Sequence, residues 1–349
     1  MAIHPLYATK KYLDAYRHFR YGGLQKAKRY LAEFEHNHVH LLSVTPPVVY
    51  MWWGTNDFAL HQELSSIKLT VLYLFPWCFN PAEIPAISAH LAKIKHLYPN
   101  HSIIFLCNEK YAVAELRMAE IQAEFIHQNA FINDNIFRPK PEIRRTHDAI
   151  YSASIASYKR HCLAEKVESL IMLSYTYLGN SDAAYGQDVR RRLGHAWWAK
   201  DSLTKDQMFP VQKMVDLYAQ ARVGLCLSAV EGGMFASMEY LLCGLPIVST
   251  KSIGGRDAFW DNRYVIVCED SAEAVSEAVE NLKSQCIPRN DVRRWTLEKI
   301  DEHRQRLRIL MHQLGAELEC PWPPGSNGCT SFTNIRELGK DICRAIDGS

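Results

Sequence analysis

The chain has 349 residues, more than a single hydrophobic core ordinarily organises, and 48% of them are hydrophobic, enough for two cores. With 40 basic against 38 acidic residues the net charge is +2, which excludes a nucleic-acid binder that works by bulk charge. Ten scattered cysteines without a C-x-x-C pair argue against a zinc or redox framework, and no signal peptide or long apolar span is visible, so a cytoplasmic protein with ordinary thiols is expected.

Residues 1–35 read as helical and basic. Tyr12, Leu13, Tyr16 and Phe19 make one apolar face, with Lys10, Lys11, Arg17 and Arg20 around the rest. That basic face suits either a solvated surface or weak peripheral contact with an anionic membrane at its inner face. Gly22-Gly23 interrupts the helix as a turn. His36, His38 and His40 alternate toward a strand, where water-facing imidazoles are a better reading than a metal site, because no carboxylate or cysteine completes a ligand set. Val48–Trp53, Leu69–Phe75 and Ser102–Cys107 are apolar runs of strand length, and Ile87, Leu91, Ile94 and Tyr98 space a helix between the last two. Strands alternating with helices predict a parallel α/β sheet. Trp52, Trp53, Asn56 and Asp57 follow a strand end, the edge where such sheets take ligands; the tryptophans serve equally well as core.

The polar, proline-bearing stretch PKPEIRRTHD reads as an interdomain hinge, with the boundary near residue 143. Ala149–Ala153 and Ser169–Ser174 follow as strands, then a basic, aromatic loop region from Asn180 to Lys205 and a helix over Val211–Ala221. Val223–Leu227 reads as a buried strand, Phe235–Leu242 as a helix stopped by Gly244, and Ile247–Thr250 as the next strand. Glu231-Gly232-Gly233 is therefore a strand-to-helix turn. Glycines there let backbone approach a ligand, and N–H groups at the helix start, from Gly232 through Met234 and Phe235, favour an anion. Glu231 and Glu239, separated by about 12 Å of helix, suit a ligand hydroxylated at both ends and phosphorylated between them, such as a nucleotide-sugar. The plainer alternative is a helix cap and a solvated glutamate. Farther on, Tyr264–Val267 is a strand, Asp270 a helix N-cap with Glu273 three residues later, and Trp295–Leu314 a long charged helix.

The run EGGMFASMEYLLCGLPIVSTKSIGG resembles the signature of the GT-B glycosyltransferases, specifically the retaining family 4 (group 1) enzymes. It has their two glutamates eight apart (Glu231, Glu239), the Cys243-Gly244-Leu245-Pro246 turn and the Gly254-Gly255 pair. LYAQARVGLCLS ahead of it is similar to the family's helix and strand, and NAFINDNIFRP to the segment with which the family leaves its first domain. The match covers about a hundred residues well. It implies two facing Rossmann-like domains with an interdomain cleft: a shortened acceptor-side domain over 1–143, a donor-binding domain over 144–315, and a loop and helix over 316–349 that returns to the first domain. GGLQKAKRYLAEF is similar to the family's glycine pair before the first helix, which would put Gly22 and Gly23, with Trp52, Trp53 and Asn56, on the acceptor side.

The resemblance implies a hexosyltransferase that moves sugar from a nucleoside-diphosphate sugar, a UDP- or GDP-sugar for example, to a saccharide, lipid, small-molecule or peptide acceptor with retention. No cofactor or metal is expected. Glu231 would hold the donor sugar and Glu239 the ribose, and Lys159 matches the family's phosphate-binding lysine. The arginine that usually precedes that lysine is replaced by a small residue near Ala153, leaving Arg160 as the candidate to compensate. A nucleotide-sugar epimerase on the same fold and a non-catalytic nucleotide-sugar-binding module are the alternatives.

Overall fold

The computed structural model describes residues 39–53, 57–75, 77–175, 183–199, 209–318, 331–332 and 342. The predicted amino-terminal helices with Gly22 and Gly23, the position of Asn56, and the helix expected over Ile335–Ile346 (Ile342 apart) lie outside these residues. The chain divides into two compact units. One holds the residues up to Phe131 and those from His303 onward; the other is Ile132–Glu302. The division falls ahead of the expected boundary near residue 143 because Ile132 and Phe137 are already buried in the second unit's core.

In the first unit β1 (Val39–Val44) and β2 (Pro47–Trp52) form an antiparallel pair. β3 (Leu69–Leu74), β4 (His101–Leu106) and β5 (Ala123–Glu124) then add in parallel beyond β2. β12 (Ser331–Phe332) pairs antiparallel with β1 and completes the order β12-β1-β2-β3-β4-β5. The runs VVYM, VLYL and IIFL are apolar at every position because both faces are covered. Val49, Met51, Val71, Tyr73 and Phe105 fill one core; Val48, Tyr50, Leu72, Leu74, Ile104 and Leu106 fill the other. Each such aliphatic side chain contributes about 2 kcal/mol. Helices α1 (Phe58–Glu63), α2 (Ile84–Leu97) and α3 (Lys110–Met118) connect these strands, with Ile87 and Ile94 of α2 buried as their spacing predicts.

The second unit is doubly wound. β6 (His147–Ser154), β7 (Leu170–Tyr175), β8 (Trp197–Trp198), β9 (Ala221–Cys226), β10 (Ile247–Thr250) and β11 (Val265–Cys268) form one parallel sheet in the order β11-β10-β9-β6-β7-β8. The chain builds outward from β6 to β8, returns to lay β9 on the other side of β6, and continues to β11. The order therefore reverses between β6 and β9, and a doubly wound sheet opens a ligand crevice at the carboxyl ends of such a pair.

The helices are α4 (Ala183–Arg192), α5 (Val211–Gln220), α6 (Phe235–Leu242), α7 (Ala272–Gln285) and α8 (Arg289–Gln313). α8 carries the chain back into the first unit at His303. Where a loop is expected over 180–205, α4 forms and buries Val189, with Leu193 packed just beyond its end. α7 is capped by Ser271, whose hydroxyl accepts the Ala274 N–H at 3.1 Å, one residue later than expected; Asp270 instead pairs with Arg160. No helix among the described residues is long and apolar enough to cross a membrane.

Candidate active site

Two loops leave the carboxyl ends of β6 and β9 and meet. The first turns through a short 3-10 segment, Ser157–Lys159, and ends with Arg160 in the left-handed region at φ 50°. The second runs from Ser228 into α6. They are joined by the backbone, since Ala229 N–H donates to Tyr158 O at 2.8 Å. The loop from Ala229 is tied in turn to the stretch after β10: Ile253 N–H donates to Ala229 O and Glu231 N–H to Ile253 O, each at 2.9 Å. These bonds fix where Lys159 and Glu231 point.

Lys159 and Glu231 form a buried ion pair, with side chains 10% and 6% exposed. The ammonium donates to Glu231 Oε1, which also accepts the Ser228 hydroxyl at 2.7 Å; among the described residues no hydrogen bond engages Oε2. Residues 72 apart in sequence thus converge where the strand order reverses. A charged pair this deep is favourable only with good geometry and further hydrogen bonds, and Ser228 supplies one.

α6 is held close to the sheet by Tyr240. Its hydroxyl accepts the Ser152 N–H of β6 at 2.6 Å, and its ring lies where a Cβ on Gly224 would stand 2.3 Å away, so only glycine fits in β9 there. At the far end Gly244 adopts φ 77° and stops the helix as the sequence predicts. Gly232, Gly233 and Met234 are buried, Phe235 is exposed, no side chain of Met234 caps the helix, and its first turn carries no acidic residue. Glu239, one turn into the helix, accepts the Tyr218 hydroxyl at 2.6 Å, and burial raises its carboxyl pKa to about 7 against the lowering effect of that bond.

The structure brings Lys159, Glu231 and the Gly232–Phe235 turn together. Arg160 is engaged elsewhere. Its guanidinium donates to Leu227 O at 2.7 Å, Thr250 Oγ1 at 2.6 Å and Lys251 O at 3.1 Å, and pairs with Asp270 at 2.7 Å, so it clamps the ends of β9, β10 and β11. A cation that sequence reasoning missed sits behind the pair. Arg256, 1% exposed, donates to Ser228 O at 2.9 Å, Ser249 Oγ at 2.9 Å and Thr250 O at 2.6 Å, and so braces the residue that bonds Glu231. Its only sequence signal is adjacency to Gly254-Gly255. Ser228 and Tyr218 were likewise silent, because serine and tyrosine in such strands and helices are common.

In the first unit Trp53 is a packing residue, edge-on to Tyr73, His90 and Phe105 at centroid distances of 5.2, 5.1 and 5.1 Å. Trp52, 39% exposed, ends β2. Asp57 is buried and accepts from His90 Nε2 at 2.7 Å and from the Tyr73 hydroxyl; burial would raise its pKa, but these bonds and the His90 charge bring it below the usual range.

No protein-family model matches the chain, and no curated protein does. Solved structures do. The Anabaena protein Alr3699/HepE, crystallised with UDP and glucose, superposes with a TM-score of 0.52 at 11% identity, over 76% of this chain and 78% of that one. The chain has the GT-B fold. AviGT4, a glycosyltransferase of avilamycin A biosynthesis, is similar at TM-score 0.48 and 12% identity over 72% and 76% of the two chains. A glycosyltransferase from Rickettsia africae ESF-5 gives 0.49 and 13% over 74% and 82%.

Proposed function

We propose that this protein is a glycosyltransferase that takes a nucleoside-diphosphate sugar as donor and transfers its sugar with retention of configuration. The observation that carries the reading is the Lys159–Glu231 pair at the strand-order reversal, beside the uncharged start of α6. Glu231 Oε2 is placed to accept hydroxyl hydrogens of a sugar, and the start of α6 with its glycine turn suits a diphosphate. Lys159 supplies the positive charge that a departing diphosphate needs. With Arg160 committed to strand ends, Lys159 and the α6 start carry that charge, and Arg256 maintains the turn from behind. Glu239 would hold the ribose hydroxyls.

In the proposed step the bond from the anomeric carbon to the phosphate oxygen breaks while the acceptor oxygen bonds to the same face. The acceptor's proton passes to the leaving phosphate oxygen, so atoms and charge balance and no side-chain nucleophile is required. Saccharide, lipid, small-molecule and peptide acceptors all supply such a hydroxyl.

The test is release of nucleoside diphosphate from a panel of nucleotide-sugars, with and without acceptor sugars, and NMR assignment of the product's anomeric configuration. Acceptor-dependent release with retention is expected. Release that proceeds at the same rate without acceptor would make the protein an epimerase or hydrolase instead, and inverted product would refute the step.

A further inference from the structure

The amino-terminal edge of the second sheet, opposite the edge that bears Glu231, carries a cluster of cations. Arg144 and Arg145 lie just ahead of β6, Arg222 is the second residue of β9, and Arg289 opens α8. All four line one open cavity of about 540 Å³, within the range of about 300–1,000 Å³ that small-molecule sites occupy. The pairing of β6 with β9 brings them together, since Thr146 N–H donates to Gln220 O at 2.8 Å between the two arginine-bearing stretches.

The arginines are not there to neutralise one another's surroundings. Arg289 is anchored by bonds to Lys140 O and Ala219 O. The side chains of Arg144, Arg145 and Arg222 make no hydrogen bond or ion pair among the described residues. Nearby carboxylates are engaged by other cations: Asp216 by Lys140, Asp148 by Lys283 and Asp291 by Arg294. Glu142 is the acidic group within electrostatic reach of Arg289. Burial, with repulsion from Arg289 and Arg222 added, lowers the Arg145 pKa to about 10. The first turn of the 25-residue helix α8 lines the same cavity and adds the positive end of its dipole.

Such a concentration of positive charge is unfavourable in the empty protein and becomes favourable with a compact anion. Guanidinium groups pair bidentately with phosphate oxygens. We propose that this cavity is a second anion site, separate from the donor crevice, that binds a phosphate-bearing ligand of at least two negative charges. A free pyrophosphate or phosphate monoester and a phosphomonoester lipid headgroup share that chemistry.

The experiment is calorimetric titration of the full chain with inorganic pyrophosphate, for wild type, Arg145→Gln/Arg222→Gln and Lys159→Gln. Glutamine keeps much of the arginine stem and removes the charge. Binding that survives Lys159→Gln and weakens by about tenfold or more in the double variant is expected, since each charge-assisted bond contributes on that scale. Co-sedimentation with phosphatidylcholine vesicles, with and without phosphatidic acid, is the second arm. Binding there that is lost in the same double variant, without binding of pyrophosphate, supports the site and assigns its ligand to a headgroup. Absence of binding in both arms, binding indifferent to the double variant, or loss only in Lys159→Gln would overturn the proposal. Loss only in Lys159→Gln would leave the donor reading intact. In ligand-free, low-salt buffer the double variant should melt at or above wild type, because a repulsion has been removed. A marked fall in melting temperature would show that the arginines are structural and would also overturn it.

Discussion

Glu231→Ala removes one partner of a buried ion pair, and the consequence is larger than a turn position would suggest. Lys159 stays behind with its side chain 10% exposed, its ammonium facing the space the carboxylate filled and the Ser228 hydroxyl without its acceptor. Leaving a buried charge uncompensated costs about 3–5 kcal/mol. In a domain of this size each kcal/mol corresponds to about 2–4 °C, so the melting temperature should fall by roughly 6–20 °C. Lys159→Met in the same chain removes the stranded charge, and the double variant should recover a coupling of about 2 kcal/mol or more. Urea unfolding of the four proteins of this cycle, followed by circular dichroism, measures it. A Glu231→Ala protein within about 1 kcal/mol of wild type, or a double variant less stable than either single one, would refute the ion-pair account.

Other consequences are as direct. Gly224→Ala forces a Cβ to 2.3 Å from the buried Tyr240 ring, which its bond to Ser152 N–H holds in place, so a loss of about 1–3 kcal/mol or more is expected in urea unfolding. Burial sets the Glu239 pKa at about 7 in the folded protein against 4.5 for the free side chain. The folded form thus holds the extra proton between these values, and stability from this group declines by about 3 kcal/mol as pH rises through the window. Glu239→Gln should flatten that slope. His61 behaves oppositely. Burial lowers its pKa from 6.5 to about 4, Asp57 opposing and the neighbouring His101 and His90 assisting. Its contribution is complete above pH 6.5 and about 3 kcal/mol is lost as pH falls toward 4. Hydrogen exchange of β3 and β4 at several pH values should report that loss, and His61→Gln should remove its pH dependence.

The parts of the fold that the sequence displays are those set by local chemistry. Strands buried on both faces are continuous apolar runs, so β2, β3, β4, β9 and β10 were readable to within a residue or two. Gly244 announced its left-handed turn because helix composition ended just before it. The glutamate pair and glycine turn were visible because they lie in one stretch of chain. What joins distant stretches was not. Nothing near residue 159 says that Lys159 bonds Glu231, or that Arg160 beside it turns away to clamp Leu227, Thr250 and Asp270. Arg256 reads as an ordinary loop cation until three buried acceptors appear around it. The α7 cap was misplaced by one residue because Asp270 and Ser271 are both good capping residues, and the competing Arg160 pair decides between them. The unit boundary depended on the burial of Ile132 and Phe137, which a polar hinge composition just downstream concealed.

The central claim is that the Lys159–Glu231 crevice binds the diphosphate of a nucleotide-sugar, and nucleotide affinity tests it most directly. UDP, GDP, ADP and dTDP are titrated into wild type, Lys159→Gln, and the Arg145→Gln/Arg222→Gln variant that alters only the opposite sheet edge. The account predicts one preferred nucleoside diphosphate whose affinity falls by about tenfold or more in Lys159→Gln and is unchanged in the arginine variant. Affinity for every nucleotide that is indifferent to Lys159, or that is lost with the two arginines, would contradict it.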